Sequence, residues 1–161
     1  ALTGLFNKQY TEEFINHILG EQQLPQLHAF LIMDVDKFKS VNDTYGHAVG
    51  DIVLEQFGKL LKSHFRGYDI VGRIGGDEFV VLMKNVGTKE TAYARVDEFV
   101  KKVRDFKYEE MDGKGVTTSI GLAFAYEDGD CYMDLYKAAD VELYQAKKAG
   151  GDGFYVREKK E

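Results

Sequence analysis

The segment Ala29-Phe30-Leu31-Ile32-Met33 is apolar at every position. A run this short and unbroken reads as a strand buried on both faces, because a half-exposed strand would alternate apolar with polar residues. A chain built around such a strand must cover both sides of its sheet. The run passes without a spacer into Asp34-Val35-Asp36, which puts carboxylates at the mouth of the most buried strand. Charge in such a place needs a compensating partner.

Around this strand the apolar periodicity predicts four helices. Phe6, Tyr10, Phe14, Ile18 and Leu19 mark the first, ending near Gly20, and Val53, Leu54, Phe57, Leu60, Leu61 and Phe65 mark the second. Tyr93, Val96, Phe99, Val100, Val103 and Phe106 mark the third; the last runs from Met133 to Ala149, with Tyr136, Ala139, Leu143 and Tyr144 inward and Gly150-Gly151 stopping it. Asp69–Ile74 and Phe79–Met83 read as a hairpin around Gly75-Gly76. A second hairpin is expected from Phe106–Met111 and Val116–Tyr126 around Asp112-Gly113-Lys114-Gly115, and a short strand near Phe154–Val156. This order predicts an α+β fold with a mostly antiparallel central sheet flanked by helices.

The strand beginning at Phe79 is preceded directly by Asp77-Glu78. If it lies antiparallel to the strand ending at Met33, Asp34 and Asp77 meet, and two desolvated carboxylates stay ionised together only beside a cation. Hard oxygen ligands favour magnesium, or manganese in its place. The competing reading is that strand ends are wet and often acidic. Gly75-Gly76 lets a ligand lie against bare backbone, and is equally a good turn. Lys37-Phe38-Lys39-Ser40-Val41-Asn42-Asp43 can open a short helix whose N–H groups face phosphates, with Lys39 adding charge; alternatively the lysines are a solvated pair. Asn42 and Asp51 could read a guanine edge, or each could cap a helix.

Composition narrows the class. A length of 161 residues with 44% hydrophobic content suits one domain. The net charge of -6 argues against a general nucleic-acid-coating surface, so a phosphate ligand would need local lysines or a metal. The single cysteine, Cys131, permits no internal disulfide and fits a reducing, cytoplasmic setting. No apolar run approaches the ~20 residues of a membrane span, so no direct membrane contact is expected of this domain. The start at Ala1, without methionine, leads us to expect a piece of a longer protein. His17, His28, His47 and His64 have no zinc-ligand spacing.

Gly75-Gly76-Asp77-Glu78-Phe79 is identical to the signature that names the GGDEF family of diguanylate cyclases. The chain resembles that family further at Leu2-Thr3-Gly4-Leu5-Phe6-Asn7, at 34–43, at Tyr45-Gly46-His47 with Gly50-Asp51, at Thr118-Ser119-Ile120-Gly121 and at 139–147. The resemblance implies a palm-like nucleotide-cyclase fold and condensation of two GTP into cyclic di-GMP across a homodimer. It also implies metals held by Asp34, Asp77 and the Val35 carbonyl, and guanine bound by Asn42 and Asp51. Gly75-Gly76 would admit the ribose and α-phosphate, Lys37, Phe38 and Lys39 would bind substrate, Lys39 and Lys147 would neutralise the terminal phosphates, and Glu78 would lie near the 3′-hydroxyl.

Two features bear on regulation and completeness. The family commonly continues Ala146-Lys147 into Gly-Arg-Asn, whereas this chain reads Gly150-Gly151-Asp152; loss of the guanidinium predicts a raised KM for GTP. Arg66-Gly67-Tyr68-Asp69 stands where many members carry an Arg-x-x-Asp inhibitory site for the product. The alternative is a cation at a helix C-terminus, with Asp69 starting a strand. Two rival functions are a non-catalytic module sensing cyclic di-GMP or GTP and, ranked last, a cyclase making a cyclic mononucleotide.

Overall fold

The computed structural model describes residues 5–21 and 26–157; the Leu2-Thr3-Gly4 start of the motif lies outside them. In chain order the elements are α1 (Lys8–Glu21), β1 (His28–Val35), α2 (Phe38–Tyr45), α3 (His47–His64), β2 (Ile70–Arg73), β3 (Glu78–Met83), α4 (Lys89–Asp105), β4 (Thr118–Ala125), α5 (Tyr132–Lys148) and β5 (Gly153–Val156). The five strands form one sheet in the order β2-β3-β1-β4-β5. Three of the four pairings are antiparallel and β4 with β5 is parallel, so the α+β expectation holds.

Because side chains alternate along a strand, the sheet divides its apolar residues between two cores. Leu31, Met33, Phe79, Val81, Leu122 and Phe124 meet Phe57 of α3 and Phe99 of α4 on one face. On the other, Phe30, Ile32, Val80, Leu82 and Ala123 meet Ile15 of α1 and Leu135, Ala139 and Leu143 of α5. The apolar run at 29–33 is the central strand, fully buried at every position. Gly121 sets how close α5 lies: a Cβ there would collide with the Ala139 carbonyl oxygen and the Leu143 amide.

Three sequence expectations are corrected. The second hairpin is not formed: Glu109–Met111 is a 3-10 turn, and Tyr108 with Lys114 is an isolated bridge rather than part of a strand ladder. Asp112 and Gly113 do supply the left-handed turn, but Tyr108 and Met111 bury themselves in the core instead of extending as a strand. On α1 the buried stripe is Thr11, Ile15 and Leu19, while Phe6, Tyr10 and Phe14 are exposed and pack on one another. On α5 Tyr144 is 62% exposed, because it stands one residue, about 100° of helical rotation, from the inward Leu143.

Candidate active site

β1 and β3 place two acidic residues opposite each other, Asp34 pairing in register with Glu78. Asp77 immediately precedes β3 and is half-buried. Its charge is felt by Asp34, as is that of Asp36. Burial, which disfavours the charged form, is the largest influence on Asp34; its carboxyl is pushed up to about 6 even though Lys147 pulls the other way. Lys147 Nζ lies 2.7 Å from Asp34 Oδ1 and 3.8 Å from Asp36 Oδ1. Asp34 Oδ1 is buried, and the Lys147 ammonium favours its ionised form by hydrogen bond and by charge.

Asp36 is more tightly held, and its part was not foreseen from the sequence. Its Oδ2 accepts from Thr117 Oγ1 at 2.7 Å and from the Asp152 amide at 2.9 Å, and its Oδ1 accepts from Ser119 Oγ at 2.6 Å. Asp36 thus ties the start of α2 to the edge of β4 and the loop after α5. Val35, the last residue of β1, is 1% exposed, which leaves its backbone as its means of reaching the site.

Beyond Asp36 the chain turns through Lys37 in the left-handed region, φ 55°, and enters α2 without a side-chain cap. Lys37 and Lys39 are exposed, and Phe38 packs on the core. Asn42 reaches from α2 to α3, where a Cβ on Gly50 would overlap its Oδ1. That oxygen is buried and has no hydrogen-bond partner, and Asp51 follows Gly50 on the exposed side. Neither Asn42 nor Asp51 caps a helix: α2 begins at Phe38 and α3 at His47.

Gly75 and Gly76 are the exposed tip between β2 and β3. Arg73 fixes that tip by donating from Nε to the carbonyls of Gly75 at 3.2 Å and Gly76 at 2.9 Å. Sequence reasoning missed Arg73, although its place two residues before the glycine pair was the available signal.

The Arg66-x-x-Asp69 pair lies apart from this cluster. Asp69 accepts from the Arg66 and Lys84 amides, both at 3.0 Å, and from the Arg66 guanidinium at 3.4 Å, with its side chain fully buried. Arg66 also donates to the Lys84 carbonyl at 2.8 Å and lies over the Tyr68 ring. Asp69 is therefore an internal clamp between the end of α3 and β3, while Arg66 keeps an exposed edge.

Residues 1–153 match the family described as "Diguanylate cyclase, GGDEF domain". The chain belongs to the GGDEF family. It is 38% identical over 151 residues to diguanylate cyclase DgcS of Shewanella oneidensis, covering 93% of this chain and 49% of that one. It is 41% identical over 124 residues to diguanylate cyclase A of Treponema denticola, covering 76% and 33%. The chain thus spans between a third and a half of these relatives' length. Among solved structures, the GGDEF domain of YfiN (TpbB) from Pseudomonas aeruginosa superposes with a TM-score of 0.89 at 29% identity, covering 98% of this chain and 99% of that one. The active GGEEF domain of a diguanylate cyclase from Vibrio cholerae superposes at 0.86 with 25% identity, covering 97% and 99%.

In this GGDEF chain Gly151, where the resemblance leads us to expect arginine, lies against Asp36. Gly151 has φ +77°, and a Cβ there would lie 2.8 Å from Asp36 Oδ2. Asp152 is paired with Arg104 at 2.9 Å. Among the described residues no helix is long and apolar enough to cross a membrane.

Proposed function

We propose that this chain condenses two GTP into cyclic di-GMP and two pyrophosphates, with two copies facing each other as a homodimer and magnesium, or manganese in its place, at Asp34 and Asp77. The observation that carries the reading is the crowding of Asp34, Asp36 and Asp77 at one end of the adjoining strands β1 and β3, with a lysine ammonium against Asp34. Clustered carboxylate oxygens are the hard donor set that a divalent ion such as magnesium takes. Asp34, Asp77 and the Val35 carbonyl would hold it. When bound, the metal supplies a positive field for the attacking and leaving oxygens.

The chain's own residues do the positioning. Asn42, with its unpartnered buried Oδ1, and Asp51 receive the guanine. The bare backbone of Gly75-Gly76, braced by Arg73, admits the ribose and α-phosphate. Lys37, Phe38 and Lys39 shape the phosphate end, with Lys39 and Lys147 neutralising charge. Each 3′-oxygen forms a bond to the α-phosphorus of the GTP held by the partner, the bond to pyrophosphate breaks, and the hydroxyl proton leaves towards Glu78 or water. Holding both reactants in line supplies most of the acceleration.

Arg66 is the proposed contact for the product as feedback inhibitor, with Asp69 holding its guanidinium, and a cytoplasmic setting follows from the GTP substrate. Incubation with GTP and magnesium followed by chromatography tests the reading. Cyclic di-GMP from the native chain and none from Asp77→Ala is the expected result; cyclic GMP, or no nucleotide product at a concentration where the chain is dimeric, overturns it.

A further inference from the structure

Asp34 and Glu78 are register partners on β1 and β3, and like charges directly opposite across two strands destabilise the pair. Strand alternation turns both towards the α5 side, since Ile32 and Val80 belong to the core that α5 covers. Helix α5 answers each carboxylate separately. Lys147 reaches Asp34, and three turns earlier on the same helix Tyr136 donates its hydroxyl to Glu78 Oε1 at 2.6 Å. The eleven-residue spacing brings the two side chains onto one helical face.

Resting on the reading of Glu78 as the group beside the attacking 3′-hydroxyl, we propose that Tyr136 is a positioning residue that fixes the Glu78 carboxylate for that role. The hydrogen bond occupies Oε1 alone. Oε2 lies on the hairpin side, 3.8 Å from where a Gly75 Cβ would be, and so faces the glycine backbone across which the nucleotide is proposed to lie. A glutamate left to itself has several rotamers to lose on being fixed, and a carboxylate misplaced by an ångström loses much of its effect on a reacting atom.

Tyr136 is itself held from the core. Its ring packs on Tyr132 at 5.9 Å, and Tyr132 packs edge-on against the fully buried Phe30 of β1 at 5.5 Å. The chain of contacts Phe30, Tyr132, Tyr136, Glu78 therefore begins on β1 and ends on β3, the two strands that carry the site. Burial and the neighbouring Glu78 carboxylate both push the Tyr136 phenol above its ordinary range, so the hydroxyl stays a donor throughout the working pH range.

Tyr136→Phe removes the hydroxyl and little else, and steady-state kinetics, thermal melting and Mn2+ titration of the full chain test the proposal. The expected result is a kcat lower by about ten-fold, with KM for GTP, Mn2+ affinity and Tm unchanged. An unchanged kcat overturns it, and so does a kcat loss matched by a fall in Tm or metal affinity, which would mark a structural role. The 13Cζ resonance of Tyr136, compared between the native chain and Glu78→Ala, reads the contact without turnover: a shift supports the hydrogen bond and no shift overturns it. A native chain that makes no cyclic di-GMP brings down the functional reading and the catalytic half of this proposal, while the resonance still decides the contact.

Discussion

Lys147 Nζ stands 2.7 Å from Asp34 Oδ1, so an ammonium rests against a carboxylate proposed as a ligand of the divalent ion. The same lysine is assigned to the terminal phosphates, and one amine cannot serve both at full strength. Removing it should therefore split two affinities in opposite directions. Lys147→Met is expected to tighten Mn2+ binding to the nucleotide-free chain by about five-fold or more, by deleting a like charge beside the ligand, and to raise KM for GTP. Calorimetric titration and steady-state kinetics check both.

Asp34 carries a charge that the fold disfavours. Its carboxyl is raised from 3.8 to about 6, so the folded chain holds that proton more tightly than the unfolded chain does. The resulting cost is fully present above about pH 6 and is relieved as pH falls towards 3.8. Asp34→Asn should stabilise the metal-free chain at pH 7.5 by on the order of 2–3 kcal/mol, with the gain fading near pH 4, and should abolish turnover. Urea denaturation across this pH range checks the sign; destabilisation at pH 7.5 would contradict it.

The backbone at Gly151 argues that the family's arginine cannot simply be restored. With φ +77° and Asp36 Oδ2 2.8 Å from the position of a Cβ, any side chain meets both strain and a held carboxylate. Gly151→Ala and Gly151→Arg are each expected to cost about 1–2 kcal/mol. Denaturation of the two variants beside the native chain tests this, and an arginine variant of undiminished stability would refute it.

Arg66 and Asp69 should separate stability from regulation. Asp69 is buried and accepts from two backbone amides, so Asp69→Ala leaves orphaned donors and should cost about 2–3 kcal/mol or more. Arg66 is partly exposed, and Arg66→Ala should cost less while abolishing inhibition by added cyclic di-GMP. Undiminished inhibition in that variant removes the regulatory assignment.

Much of this molecule is legible in the chain because its strongest patterns are also its deepest. The 29–33 run became the central strand, and the acids flanking it and Phe79 were brought together by the antiparallel pairing. Aromatic residues misled where they pack on each other outside, as Phe6, Tyr10 and Phe14 do. The loop at 106–117 misled because turn chemistry at Asp112-Gly113 is compatible with a hairpin or a 3-10 turn, and burial of Tyr108 and Met111 chose between them. Within the site, the holding groups were the hidden part. Tyr136, Arg73 and the Thr117–Ser119 pair act on residues 2 to 83 positions distant, and spacing along the chain carries no trace of the longer-range contacts.

In the proposed chemistry, acidic groups from β1 and the residue before β3 share divalent ions with a bound nucleotide. Crystals grown with Mn2+ and a non-hydrolysable GTP analogue, with an anomalous difference map recorded at the manganese edge, test this most directly. Peaks bridging the Asp34 and Asp77 carboxylates and the analogue's phosphates, with Lys147 withdrawn from Asp34, are the expected result. Ordered nucleotide with no manganese at those carboxylates, or manganese only at Asp130, Cys131 and Asp134, whose ligand atoms lie within 4.8 Å of one another at the start of α5, would contradict this.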